Sequence, residues 1–221
     1  YRERLTLLLK GDLDFHGQKG STPVHAWHTF PARFPPELPE HFITELTQPG
    51  DIVFDPMMGS CTTLLEAVIT GRRAVGTDID PLSLRIAQAK LNTDDIADAG
   101  VLGHELTENA RSRLAHGKDA LEKCLKKRFD PKTKAFIDYW FAHTTQIELA
   151  ALADEIEKIG NRTLRMFFTL VFSSVIITKS GGVSLARDLA HTRPHRVTDK
   201  IPGSPITDFD TRLRRNLNRL T

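Results

Sequence analysis

Apolar positions recur at two different periods along the chain, and the change of period divides it. Residues 51–54 form a short apolar run rich in β-formers and bounded by turn residues, which predicts a buried strand. The stretch Asp55-Pro56-Met57-Met58-Gly59-Ser60-Cys61 breaks it. Residues 62–70 then set Leu64, Leu65, Val68 and Ile69 at helical spacing, with Gly71 placed as a C-terminal cap. Residues 74–79 predict a second strand, and residues 81–91 a helix with Pro81 at its first position. Strand, loop, helix, strand, helix is a βαβα unit, the building block of parallel sheets with right-handed crossovers. From about residue 95 the strand period is lost: 96–129, 132–141, 144–159 and 164–178 all read as helical, with Gly160-Asn161 as a stop and restart.

The flanks are less regular. Residues 1–29 read as a poorly patterned lead-in, and residues 30–39 as an extended Pro-rich segment carrying Pro31, Pro35, Pro36 and Pro39. Pro39 suits the first turn of a short helix at 40–46. Residues 187–205 read as a basic loop, after which Thr207 or Asp208 caps a helix whose Phe209, Leu213, Leu217 and Leu220 share a face. The expected organisation is a βαβα unit with its lead-in (1–94), a helical insertion (95–180), and a basic loop and last helix (181–221). The chain begins at Tyr1 without an initiator Met and stops inside a helical pattern, so the domain is expected to be incomplete within it.

Composition narrows the class. With 221 residues, 40% hydrophobic and 26% charged, the chain is not a disordered, collagen-like or simple coiled-coil sequence. No run approaches the ~20 apolar residues that span a bilayer, and the richest, residues 166–177, is interrupted by Thr and Ser. Two cysteines in unrelated contexts argue against a disulfide framework, which makes a reducing, cytoplasmic setting the expectation. The nine His show no metal-ligand spacing, so no metal is expected. A net charge of +2 says little about partners, but residues 187–221 hold eight Lys/Arg against four Asp. That basic stretch suits a polyanion, with Arg193 and Arg196 as candidate phosphate contacts; a solvated surface is the alternative. Tyr139, Trp140 and Phe141 sit in a helical neighbourhood and are read as core in preference to base-stacking residues.

The loop after the first strand carries the chemistry. Asp55-Pro56-x-x-Gly59-Ser60-x-Thr62-Thr63 leads straight into a helix, whose first N–H groups are unpaired and carry partial positive charge. Gly59 permits close backbone approach, and Ser60, Thr62 and Thr63 add hydroxyls, so the loop suits a small anion. Asp78 follows Asp55 by 23 positions, where an acid at the end of the second strand accepts the hydroxyls of a ribose. A dinucleotide fits that outline, but the loop is not G-x-G-x-x-G: Cys61 stands where a second Gly helps a pyrophosphate approach. A carboxylate is smaller, which favours a nucleoside bearing an amino acid, S-adenosylmethionine. No Lys follows the Gly, so it is not a Walker loop. Asp80 is read as a cap for the next helix.

Three segments carry a resemblance. Phe30-Pro31-Ala32-Arg33-Phe34-Pro35-Pro36-Glu37-Leu38, Asp55 to Ala67, and Val75-Gly76-Thr77-Asp78-Ile79-Asp80-Pro81 are similar to the methionine-side segment, the Gly loop and the acidic strand end of the amino-group DNA methyltransferases, in the order in which one arrangement of that family has them. The resemblance implies a Rossmann-like, doubly wound parallel sheet of the class I methyltransferase type, here with a large helical insertion. It implies S-adenosylmethionine as cofactor and DNA as partner, with transfer of a methyl group to the exocyclic amine of adenine or cytosine, as in restriction-modification. By the same resemblance Asp55, Pro56, Met58, Gly59, Ser60, Cys61, Thr62 and Thr63 line the cofactor, Asp78 holds its ribose, Ile79 packs on the adenine, and Phe30, Ala32 and Arg33 close the methionine side.

The chain departs from that pattern in two places. Met57-Met58 replaces the more usual Phe and small residue, which the adaptable thioether side chain tolerates. The catalytic signature, Asp, Asn or Ser followed by Pro-Pro and an aromatic, is missing; Phe34-Pro35-Pro36-Glu37 lacks the trailing aromatic, and no catalytic residue is assigned. An RNA or tRNA base methyltransferase and a non-catalytic cofactor- or DNA-binding protein are the alternatives.

Overall fold

The computed structural model describes residues 1–15, 22–30, 33–93, 96–176, 178, 182–187, 195–197 and 199–218. They fall into two compact units, one made of residues 1–26 and 32–92 and the other of residues 27–31 and 93–221.

In the first unit the order is α1 (Arg2–Lys10), α2 (Glu37–Leu46), β1 (Ile52–Asp55), α3 (Thr62–Ile69), β2 (Arg73–Gly76) and α4 (Pro81–Leu91); a 3₁₀ turn, Pro23–Trp27, precedes α2. The two strands pair in parallel, with Val53 opposite Ala74 and Phe54 opposite Val75. One face of this sheet is covered: Ala74 packs on Met58, Cys61, Leu64 and Ala87, together with Leu91. The other face carries Ile52, Phe54 and Val75, all about half exposed. Among the described residues the expected doubly wound sheet is thus two parallel strands with helices on one side.

Several local expectations are corrected here. The poorly patterned lead-in contains a helix: α1 forms, but it buries no residue, and Arg4 ties it to Glu45 of α2 at 3.0 Å. A helix without a buried stripe leaves no periodic signal to read. The second strand ends at Gly76, three residues earlier than expected, because the chain turns at Thr77–Asp80 and leaves Ile79 99% exposed. The helix after the prolines starts at Glu37, which still puts Pro39 in its first turn.

The second unit is helical: α5 (Ala99–His116), α6 (Lys118–Arg128), α7 (Pro131–Trp140), α8 (His143–Glu157), α9 (Arg162–Ile176) and α10 (Pro205–Leu217). The single helix expected over 96–129 breaks at Gly117, whose N–H bonds the Arg113 carbonyl and closes α5. The last helix starts at Pro205, with the Ser204 hydroxyl accepting from the Thr207 N–H, so Ser204 rather than Thr207 or Asp208 is the cap. Asp130 caps α7 in the same way, accepting from Lys132 and Thr133. The core is aromatic at its centre, where Phe168 is fully buried between Phe167 (ring centroids 5.7 Å apart) and Phe209 (6.4 Å). Trp27 meets Phe167 edge-on at 5.2 Å, and His28 bonds the Ser173 hydroxyl at 3.0 Å, so both serve packing within this unit. Tyr139 is not core: it is half exposed, with the Arg196 guanidinium 4.8 Å above its ring. Trp140 packs edge-on against it, and only Phe141 of the three is buried.

Helices α5 and α10 approach closely because Gly103 has no side chain. A Cβ there would lie 2.1 Å from Leu213 Cδ2 and 3.1 Å from Phe168 Cε1. On an open helix Gly→Ala stabilises by up to about 1 kcal/mol. At this contact the sign reverses, and Gly103→Ala is expected to destabilise by about 1–3 kcal/mol through overpacking. A lower urea midpoint with an unchanged m-value is the result to look for.

Candidate functional site

The turn between β1 and α3 is held from three sides. The Asp55 carbonyl accepts from the Thr77 N–H at 3.0 Å, the Thr77 carbonyl from Met58 at 3.1 Å, and the Asp55 carboxylate from the Met57 N–H at 3.0 Å. Pro56 and Met57 face solvent, whereas Met58 is buried over Gly76. A Cβ on Gly76 would lie 2.8 Å from Met58 Sδ and 2.7 Å from Leu64 Cδ1, so Gly76 is the space into which Met58 folds.

Gly59 and Cys61 both have positive φ, 46° and 72°. At Cys61, a non-glycine residue, the left-handed conformation costs roughly 1 kcal/mol. Its thiol is fully buried, and burial pushes its pKa up to about 11, so it stays neutral. Cys61 occupies the N-cap of α3 and contributes no side-chain cap, so the first N–H groups of α3, those of Thr62 and Thr63, have no intrahelical partner. The Ser60 and Thr62 hydroxyls lie 3.0 Å apart beside them, and Thr63 is half-buried.

The acid of the second strand end reaches this turn. Asp78 Oδ2 accepts from the Gly59 N–H at 2.8 Å, and Oδ1 from the Asp80 N–H at 2.8 Å. The Asp80 and Gly59 N–H groups hold its carboxyl below the usual carboxylate range. Asp80 itself caps α4, accepting from the Leu82 N–H at 2.8 Å, as its place before Pro81 suggested. Asp55, Pro56, Met58, Gly59, Ser60, Cys61, Thr62, Thr63, Asp78 and Ile79 therefore surround one strand–turn–helix edge, with the bare Ile79 side chain beside the carboxylate.

The remaining candidates are placed differently. Arg33 donates to the His25 carbonyl at 2.5 Å, within the first unit. Phe30 belongs to the second unit. Ala32 and Arg193 lie outside the described residues, and Arg196 pairs in an antiparallel bridge with Ala186. Among the described residues no group of His, Cys, Asp or Glu is disposed to hold a metal, and no helix is long and apolar enough to cross a membrane.

Sequence reasoning missed a buried polar layer beneath the turn. His25 Nε2 and Glu66 Oε1 lie 2.5 Å apart, Glu66 being fully buried on α3. Lys90 of α4, 1% exposed, donates to the Ser60 carbonyl at 2.9 Å and to the His25 carbonyl at 3.4 Å. A signal was present: Ser83, Ile86, Ala87 and Lys90 share the inward stripe of α4, and a lysine at an apolar position of that stripe is the anomaly.

Residues 13–89 match the family model described as DNA methylase. The chain is 38% identical over 99 residues to Type II methyltransferase M.MjaII of Methanocaldococcus jannaschii, an alignment covering 43% of this chain and 19% of that protein. It is 31% identical over 167 residues to Type II methyltransferase M.MvaI of Kocuria varians, covering 69% of this chain and 34% of that protein. Orphan methyltransferase M.BamHII of Bacillus amyloliquefaciens is 40% identical over 76 residues, 34% of this chain and 29% of that protein. The chain thus spans between a fifth and about a third of the length of these relatives. No solved structure matches it.

Proposed function

We propose, from the match of residues 13–89 to the family model described as DNA methylase, that the first unit is the cofactor-binding part of an enzyme that methylates an exocyclic amine of adenine or cytosine in DNA. The observation that carries this reading is the 2.8 Å bond from the Gly59 N–H to Asp78, which joins an anion-accepting helix start to a ribose-accepting acid at one edge. S-adenosylmethionine supplies an electrophilic sulfonium methyl to such a reaction. The residues present fit it. The uncapped N–H groups of Thr62 and Thr63, with the nearby hydroxyls, suit its carboxylate. The Asp78 carboxylate has lone pairs left for two ribose hydroxyls. Ile79, 99% exposed, offers an apolar surface for the adenine. Arg33 is proposed for the methionine side.

In this reading β1 and β2 belong to a larger doubly wound sheet. Parallel sheets are ordinarily covered on both faces, and the exposed Ile52, Phe54 and Val75 face fits that architecture. Residues 95–180 would be a helical insertion. Arg196, seated on Tyr139 in this basic stretch, is a proposed phosphate contact. The chain contains no Asp/Asn/Ser-Pro-Pro-aromatic tetrapeptide, so the amine-orienting role is given to none of its residues. What the present residues do for transfer is positioning: holding the donor still removes entropy from an in-line displacement.

Calorimetric titration of the full chain with S-adenosylmethionine tests the reading. Micromolar binding is expected, weakened about tenfold by the Thr62→Ala, Thr63→Ala pair, the size of one lost charge-assisted hydrogen bond. Absence of binding would overturn it, and unchanged affinity in the double variant would move the carboxylate elsewhere.

A further inference from the structure

The Lys90 ammonium is a buried cation. It is 1% exposed, its two hydrogen-bond partners are the carbonyls of Ser60 and His25, and among the described residues no carboxylate ion-pairs with it. A charge taken out of water and satisfied by carbonyls alone is costly, and it persists where something else on the molecule repays it. The nearest structure above it is the turn itself. Ser60 precedes Cys61 and the bare N–H groups that open α3, so the cation sits directly behind the anion-accepting edge.

Resting on the reading that this edge takes the donor's carboxylate, we propose that Lys90 is a positioning residue and the counter-charge for that carboxylate. It fixes the Ser60 carbonyl inward, so that the turn's N–H groups stay outward, and it adds a full positive charge to the partial charge of the helix start. The lead-in segment takes part through His25, whose carbonyl accepts from both Lys90 and Arg33 while its ring meets Glu66. The alternative role, a polar plug that fills a gap between α4 and the turn, predicts no link between Lys90 protonation and the ligand.

That link is measurable. The titratable and charged groups acting on Lys90 are the Cys61 thiol of α3 and the Arg33 guanidinium, while His25 meets it through its backbone carbonyl. Burial lowers the Lys90 pKa to about 8, with Arg33 adding to the fall and Cys61 opposing it. Because its folded value lies below the unfolded one, this lysine burdens the fold at low pH, and the burden is relieved as pH rises from about 8 toward 10.5. Ligand binding runs the other way. A carboxylate arriving at the turn favours the charged amine, so the complex takes up protons and its affinity falls as pH rises through 8. Stability and affinity therefore move in opposite directions over the same interval.

The experiment is calorimetry of the full chain with S-adenosylmethionine near pH 8, in buffers of differing ionisation enthalpy, on wild type, Lys90→Arg and Lys90→Met. The ligand's own α-amino group titrates at about 7.7–8.0, so the reading is the difference between wild type and Lys90→Arg. Wild type is expected to take up a larger fraction of a proton than Lys90→Arg, whose guanidinium stays charged. Lys90→Arg is expected to keep affinity within about threefold, and Lys90→Met to lose at least about tenfold. Equal proton uptake in wild type and Lys90→Arg, or wild-type affinity in Lys90→Met, would overturn the proposal. If Lys90→Met does not fold, the comparison of wild type with Lys90→Arg decides alone. If wild type binds no S-adenosylmethionine, the functional reading and the counter-charge role fall together. Amide exchange across Gly59–Thr63 in the free chain then decides the remaining part: faster exchange in Lys90→Met supports the hold on the turn, and equal exchange removes it.

Discussion

Asp78→Ala is expected to weaken S-adenosylmethionine binding by about a hundredfold, the product of two losses of roughly tenfold each. The first is the proposed grip on the ribose hydroxyls. The second is the anchor of the turn, because Asp78 Oδ2 is the acceptor for the Gly59 N–H at 2.8 Å. Without it, a residue with φ of 46° loses its tether, and the N–H groups of α3 are no longer held toward one point. Asp78→Asn keeps one acceptor and is expected to fall between wild type and Ala. The carboxyl is held below its usual range by the Asp80 and Gly59 N–H groups, so what it contributes is fully present above a pH of about 4 and fades as pH falls through the lowered folded value. Calorimetric affinities of the three forms at neutral pH check this. An Asp78→Ala chain that binds like wild type would remove both the ribose and the anchoring role.

The largest expected effect on stability is in the second unit. Phe168→Ala should cost about 3–5 kcal/mol, the range for a buried aromatic whose cavity cannot collapse. Phe168 is fully buried, with Phe167 on one side, Phe209 of α10 on the other, and Gly103 of α5 beneath its ring edge. Three helices thus meet on one side chain, and its removal loosens all three contacts. Domains are stable by only about 5–15 kcal/mol, so a marked fall in the midpoint of helix melting by circular dichroism is expected. A midpoint shift no larger than that of a surface substitution would show that the three helices do not depend on this ring.

The two sites differ in how far they could be read before folding. The strand–turn–helix–strand–helix unit was legible because local chemistry dictates each step. β-formers between turn residues make a strand, Pro81 after Asp80 starts a helix with its cap, and Gly59 marks the turn between strand and helix. The helices of the second unit were legible by period, and their ends less so. Gly117 splits a run that reads as continuous, because glycine is tolerated within helices and ends them only when the flanking packing favours it. Ser204 outcompeted Thr207 as cap because its hydroxyl also bonds Glu148 of α8 at 2.5 Å, a partner 56 residues away.

Short-range order beyond the lead-in was thus largely determined by the chain itself: which segments are strands or helices, where the turn of Gly59 to Thr63 lies, and that an acid stands at the next strand end. Turn residues, caps and the spacing of apolar side chains within each segment carry that information. Tertiary structure alone decided that Asp78 ties down Gly59, that Tyr139 is exposed under Arg196 while Phe141 is buried, and that Lys90 is buried behind the turn against two carbonyls. Each of these depends on which surfaces meet across long sequence separations. A side chain's burial and charge environment belong to the packed molecule, and the pattern along the chain records only its side of that contact.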